Sequence, residues 1–165
     1  MNSLDSPPVI DASPLIFLTK ADLLALLQYR YEVVLVTSTV ATEIKRYGQT
    51  DITYRLLQST EWLKVVKSLP EVKEVRDCNL DPGETSILSW AYANPGTEAI
   101  LDDLAGRRCA SRLEIPIRGT LGLVLSAKQR GYIVEAKPLI ERLRQAGMYL
   151  FDRVVEQALT IVEEI

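Results

Sequence analysis

Apolar residues along the chain alternate between short β-branched runs and longer stretches in which they recur every three or four positions. The first run, Val9-Ile10, ends at Asp11. Ser13 followed by Pro14 reads as an N-cap with proline at the first helical position. Helical spacing then continues, past a break near Lys20, through residues 23–27. A second apolar run at 33–36 precedes a helix over 38–47 that Gly48 terminates. Another helix covers about 51–57, and a strand lies near 62–66. Residues 68–80 read as a charged connection. Asp81-Pro82-Gly83-Glu84 opens a helix to about Tyr92, closed by Asn94-Pro95-Gly96. A short strand at 99–101 runs into Asp102-Asp103 and a helix to Leu113. Residues 115–117 form a brief strand, and Gly119-Thr120 begins a helix that stops at Gly131. Two more helices, near 138–146 and 151–164, complete the pattern.

Strands alternating with helices at this spacing predict βαβ units. The expected fold is α/β, with a central, mostly parallel sheet flanked by helices. A chain of 165 residues suits one domain. In such sheets the functional crevice lies beyond the carboxyl ends of the strands. That directs attention to the residues at which strands end, and several of these are acids.

Composition narrows the chemistry. The chain has no histidine, which removes Ser-His-Asp and Cys-His nucleophiles and His-ligated zinc. Acid–base or metal chemistry must then rest on carboxylates. Cys78 and Cys109 form no CxxC and no metal-ligand spacing, so the economical expectation is a reduced, cytoplasmic protein, with pairing of the two left to the fold. No stretch approaches a membrane span, and the first eleven residues lack the basic, then apolar, order of a signal peptide. The net charge of −3 is unevenly spread. Residues 1–103 hold 9 basic against 15 acidic side chains, and residues 104–165 hold 10 against 7. An acidic first part beside a basic later part suits a metal site next to a surface for an anionic partner.

Each acid has a structural and a functional reading. Asp11 ends the first strand, as a turn former or as a ligand. Glu43 lies at the edge of an apolar stripe of Val40, Ile44 and Tyr47, within i+3 reach of Arg46. Glu84 completes a capping box with Asp81, yet shares the inward stripe of Ile87, Leu88 and Ala91. Asp102 and Asp103 follow an apolar strand directly and repel one another unless a cation or a base such as Arg107 or Arg108 compensates. Three or four carboxylates without other ligand types describe a hard-cation site for Mg²⁺ or Mn²⁺. The late position of the acidic pair does not fit a receiver-type phosphoacceptor, and Asp11-Ala12-Ser13 is not the DxD of an aspartyl phosphatase. Neither GxGxxG nor GxxxxGK[ST] is present.

The order of these motifs resembles the PIN-domain family of metal-dependent ribonucleases, in particular its VapC-like toxin branch. The matching segments are VIDASPLI at 9–16, TSTVATEI at 37–44, LDPGETSIL at 80–88 and AILDD at 99–103, running into Arg107-Arg108-Cys109-Ala110. Gly119-Thr120-Leu121-Gly122-Leu123 is similar to a segment of a small prokaryotic subgroup. The resemblance covers about residues 8–131 and leaves 132–165 as a C-terminal helical extension.

The resemblance implies that the family's four acids fall on Asp11, Glu43, Glu84 and Asp102. Asp103 is a second ligand if the register slips by one, and Ser13 matches a hydroxyl near the metal. Arg107, Arg108 and Arg118 are the phosphate contacts suggested by the basic later part. Thr120 is read first as the cap of its own helix. The implied activity is RNA cleavage by a metal-activated water, in a toxin with a small antitoxin protein. The last helix presents Phe151, Val154, Val155, Ala158, Val162 and Ile165 as a stripe, read as docking on the sheet ahead of a homodimer or antitoxin contact. The rival readings are a non-catalytic PIN-like module for RNA or protein and an acid-site phosphatase.

Overall fold

The computed structural model describes residues 6–164. Met1–Asp5 of the segment read for a leader, and Ile165 of the C-terminal stripe, lie outside the described residues. In chain order the elements are β1 (Val9–Ile10), α1 (Ala12–Lys20), a 3₁₀ segment (Leu24–Tyr29), β2 (Val34–Thr37), α2 (Ser38–Lys45), α3 (Ile52–Ser59) and β3 (Leu63–Val66). Then come α4 (Lys73–Arg76), α5 (Pro82–Ala93), β4 (Ala99–Ile100), α6 (Leu104–Arg112), β5 (Ile117–Arg118), α7 (Thr120–Gln129), α8 (Lys137–Gln145) and α9 (Asp152–Ile161).

The five strands form one sheet in the order β3-β2-β1-β4-β5, and every neighbouring pair is parallel. Val9, Ile10, Val34, Val36, Ala99 and Ile100 are all inaccessible to solvent. Continuous apolar strands of this kind suit a sheet covered on both faces, where alternation with polar residues would bury the polar ones. From β1 the chain builds outward through β2 to β3, then crosses to the other side of β1 for β4 and β5. The order therefore reverses between β1 and β4, which is where an open parallel sheet leaves a crevice at its carboxyl edge. Helix α5 packs against α2 and against β1, β2 and β4, close under that crevice.

Several expectations change locally. The backbone N–H of Asp11 still donates to the Ile100 carbonyl at 2.9 Å, so the residue belongs to the ladder as well as to the turn. The helix then starts at Ala12 with Asp11 in the cap position, and Ser13, expected there, is an exposed residue of the first turn. Helix α2 stops at Lys45, which leaves Tyr47 58% exposed instead of extending the inward stripe. The connection 68–80 contains α4, anchored by a fully buried Val75. In α9 the stripe is Val155, Ala158, Leu159 and Val162, whereas Phe151 is exposed. No helix among the described residues is long and apolar enough to cross a membrane.

The cysteines are the clearest correction. Cys78 and Cys109, read first as separate thiols, form a disulfide, with Cα atoms 6.1 Å apart at positions 31 apart in sequence. Tertiary packing decides this: the segment after α4 passes beside α6, a proximity that no local spacing encodes. The cysteine count therefore no longer argues for a reduced protein. The bond ties the segment entering α5 to the helix that follows β4, and both carry acids.

Closing a loop of that length stabilises a fold by about 2–4 kcal/mol, chiefly by restricting the unfolded chain. Reduction, or Cys109→Ser, should lower the melting temperature by roughly 5–10 °C for a domain of this size. Thermal denaturation with and without a phosphine reductant checks this. Coincident curves would show that the crosslink constrains nothing.

Candidate functional site

The parallel register sets the site. Ile10 is paired with Ile100 and Ile100 with Arg118, so the residues following β1, β4 and β5 emerge on one rim. Asp11 leaves β1 there and Asp102 leaves β4, on the two sides of the switch point. Between them lies the start of α5. Asp81 caps this helix by accepting from the Glu84 N–H at 2.8 Å, with Pro82 in the first turn. A methyl group built on Gly83 would meet Asp11 Oδ1 at 3.4 Å, Asp81 Oδ1 at 3.5 Å and Glu43 Oε1 at 3.6 Å. Three carboxylates from three separate segments thus surround one point, and no two of these oxygens are more than about 7 Å apart.

Glu43 reaches that point because α2 is pinned to α5. The Thr37 hydroxyl accepts from the Val40 N–H at 3.2 Å and lies 2.8 Å from the Ser86 hydroxyl. Ser86 donates its one proton to the Gly83 carbonyl at 2.7 Å, so in the Thr37–Ser86 bond Thr37 is the donor. Both side chains are buried. Arg46 lies near Glu43 without forming an ion pair among the described residues, so the expected i+3 pairing is not made.

Glu84 is buried at 6% exposure. The return half of the capping box is not made; the Glu84 carboxyl lies near Asp103, whose charge helps to raise it. Asp103 in turn caps α6, accepting from the Gly106 N–H at 3.0 Å. Gly106 permits this approach, since a methyl there would overlap the fully buried Leu101 side chain and lie 3.6 Å from Glu84 Oε1. Asp102 is held differently. Its Oδ1 accepts from the Thr120 N–H at 2.8 Å and its Oδ2 from the Thr120 hydroxyl at 2.7 Å. Thr120 is the first residue of α7 and Gly119 its cap, so the threonine serves Asp102 and does not cap its own helix.

Clustering is visible in the acid–base properties. Burial, then the charges of Asp81, Glu43 and Asp102, push Asp11 up to about 7, against the opposing pull of the Ala12 amide. Burial, then Asp81, Asp103 and Asp11, raise Glu84 to about 8. Glu43 is raised by burial and by Asp81, with Arg46 opposing. Two carboxylates about 7 Å apart repel by about 2 kcal/mol at an effective dielectric of 20. A helix N-terminus returns only about 0.3–1 kcal/mol to each. Protons or a cation must supply the rest.

The cationic candidates separate. Arg107 lies beside Asp102, its Nη1 being 3.2 Å from the position a Gly119 methyl would take, where Asp102 Oδ1 is at 3.3 Å. Arg108 is exposed on the same helix. Arg118 is drawn away: its Nε lies 3.6 Å from Glu98, which precedes β4 at the end opposite Asp102. Glu98 also receives the Tyr31 hydroxyl and pairs with Arg30 at 3.6 Å. Ser13 stands exposed on the first turn of α1.

A hard divalent cation suits the chemistry of this donor set. The ligand atoms are all carboxylate oxygens, as hard cations require, and the gap above Gly83 is a cradle that one methyl group would fill. Among the described residues no three acidic or sulfur side chains are already drawn into a ready-made ion cage. Sequence reasoning missed Asp81, which it used only as a cap, and Gly83. The available signal was that an Asp-Pro-Gly-Glu helix start places the cap carboxylate on the same rim as the acid three residues later.

The family model for the PIN domain matches residues 7–164. No match is found among characterised proteins. PIN domains are generally nucleases, and they typically use divalent metals.

Raised acids make stability fall with pH. The folded Asp11 and Glu84 bind protons that the unfolded chain has lost, so their contribution is largest below about pH 4 and disappears as pH rises through 7–8. In chelator at pH 8, Asp11→Asn should therefore raise the melting temperature, by about 3 °C for relief on the order of 1 kcal/mol. The difference should shrink steadily as the pH is lowered from 8 to below about 4. A lower melting temperature for the variant at pH 8 would contradict the clustered-charge account.

Proposed function

The chain belongs to the PIN-domain family, and from that premise we propose that it is an endoribonuclease dependent on Mg²⁺ or Mn²⁺. The observation that carries this reading is the convergence of Asp11, Glu43 and Asp81 above Gly83, with Glu84 and Asp102 alongside on the rim. Asp11, Glu84 and Asp102 are the ligands. Glu43 orients the attacking water, and Asp81 adds negative potential at the mouth. Asp103 lies near Glu84 and caps α6, which leaves it a subordinate ligand. A divalent cation held here lowers the pKa of a water and offsets charge on a phosphoryl group.

The chain's own groups do the remaining work. Arg107 and Arg108 stand on the basic side of the rim, where guanidinium groups bind phosphate oxygens through paired N–H donors. Arg107 is the nearer to the acids. Ser13, exposed beside Asp11, contacts the sugar-phosphate backbone. Arg118, engaged by Glu98, maintains β5 and contacts substrate less directly than the other two. The acids repel RNA in the absence of a cation, so substrate binding and cation loading are coupled through charge.

The finer reading is a VapC-like toxin of the cytoplasm, held in check by a small antitoxin protein and able to form a homodimer. It rests on the motif resemblance over residues 8–131.

A fluorogenic single-stranded RNA tests the activity. Cleavage should require Mn²⁺ or Mg²⁺, stop on chelation and fall by at least about a hundredfold in Asp11→Asn, the scale expected when a charge-stabilising group is removed. RNA binding that survives chelation without cleavage would identify a non-catalytic module. Turnover of a chromogenic phosphomonoester in place of RNA would identify a phosphatase. The cradle has its own test. Gly83→Ala adds a methyl at ordinary contact distance from the three oxygens, so it should fold normally but weaken Mn²⁺ binding about tenfold by filling the space the hydrated ion needs. Unchanged affinity by calorimetry would place the ion elsewhere.

A further inference from the structure

The geometry points to Thr120 as a positioning residue that holds the Asp102 carboxylate in its working orientation, an inference that rests on the reading of the rim acids as a cation site. Both oxygens of Asp102 are engaged by this one residue, Oδ1 by its N–H at 2.8 Å and Oδ2 by its hydroxyl at 2.7 Å. A carboxylate gripped at both oxygens from one side cannot turn about its terminal bond without breaking at least one of them. One lone pair on each oxygen remains for a ligand. Groups that orient a ligand in this way commonly contribute 10–100-fold to metal affinity.

The arrangement exceeds what helix capping needs. The first amides of a helix lack internal partners, and the side chain of the N-cap residue usually supplies one. Here the cap is Gly119, which has no side chain, and the acceptor comes from the end of another strand, 18 residues earlier. Thr120 is fully buried, so its hydroxyl is committed to Asp102. Gly119 makes the approach possible: a methyl there would press on Asp102 Oδ1 at 3.3 Å and Arg107 Nη1 at 3.2 Å, tighter than side chains normally pack. Asp103, by contrast, spends Oδ2 on its own helix, at the Gly106 N–H. Of the adjacent acids, Asp102 is the one presented by another element.

The test is Mn²⁺ titration calorimetry on wild type, Thr120→Val and Thr120→Ser, with melting temperatures recorded in chelator. Valine keeps the amide and the shape and removes the hydroxyl; serine restores it. The Kd should rise about 10–100-fold in Thr120→Val and stay within about threefold of wild type in Thr120→Ser. Gly119→Ala provides an independent variant that displaces the carboxylate while leaving the hydroxyl in place, and it should weaken binding as valine does. Wild-type affinity in Thr120→Val, or equal losses in the valine and serine variants, would overturn the positioning role while leaving the cation site standing. Absence of Mn²⁺ binding in wild type would overturn the cation site itself, and the role of Thr120 with it.

Discussion

The Asp11 N–H donates to the Ile100 carbonyl at 2.9 Å, and the Leu101 N–H to the Arg118 carbonyl at 3.1 Å. Through these two bonds three strands are held in register up to the residue at which each turns away. Shifting a strand by one residue would exchange the faces of all its side chains. Here a shift in one direction would carry Asp11 into the apolar layer, and a shift in the other would put Ile10 on the rim. Burial of Val9, Ile10, Ala99 and Ile100 on both faces therefore specifies where the acids stand. The apolar sheet and the polar rim are one constraint seen from its two ends.

That frame opposes a real electrostatic cost. At an effective dielectric of 20, each close pair of ionised rim acids costs about 2 kcal/mol, and single domains are stable by only about 5–15 kcal/mol. The cluster persists because its members are placed by separate elements, each with its own core anchor. Ile44, Ile87, Leu88 and Leu101, all inaccessible to solvent, lie close in sequence to the acids they help position. The disulfide between Cys78 and Cys109 adds a covalent tie between two of the acid-bearing segments. Sites assembled this way trade stability for charge density, as functional clusters commonly do.

Most strands and helices were legible because they rest on local periodicity, Asp11 and the Asp102-Asp103 pair stood out because strands end beside them, and Glu43 and Glu84 because of their places on helix stripes. The errors share a cause. Ser13 lost the cap position to Asp11 because a sheet hydrogen bond, invisible in local sequence, carries the strand one residue further. Tyr47 fell outside its stripe because α2 ends at Lys45. Asp81 looked fully explained as a cap, and only the approach of α2 and β1 shows that its second role is electrostatic. The disulfide depends on the path of residues 77–80 past α6. Thr120 was assigned to its own helix because the acid it serves lies on a different strand end. In each case the missing information was which elements become neighbours.

The site acids divide by what holds them. Asp81, Asp102 and Asp103 each accept from the backbone N–H of a helix's first turn, at Glu84, Thr120 and Gly106 respectively. Glu43 and Glu84 receive no such bond in the structure, and Asp11 has only the adjacent Ala12 amide; these three are pushed upward. Within the negative field of the cluster, burial and neighbouring charge leave Asp11 and Glu84 holding protons near neutral pH. A divalent cation entering that field displaces those protons, so its affinity should strengthen with pH through the range in which Asp11 and Glu84 titrate. The same field weakens the cation-free fold over that range, so the pH that most destabilises the empty site is also the pH at which it binds most tightly.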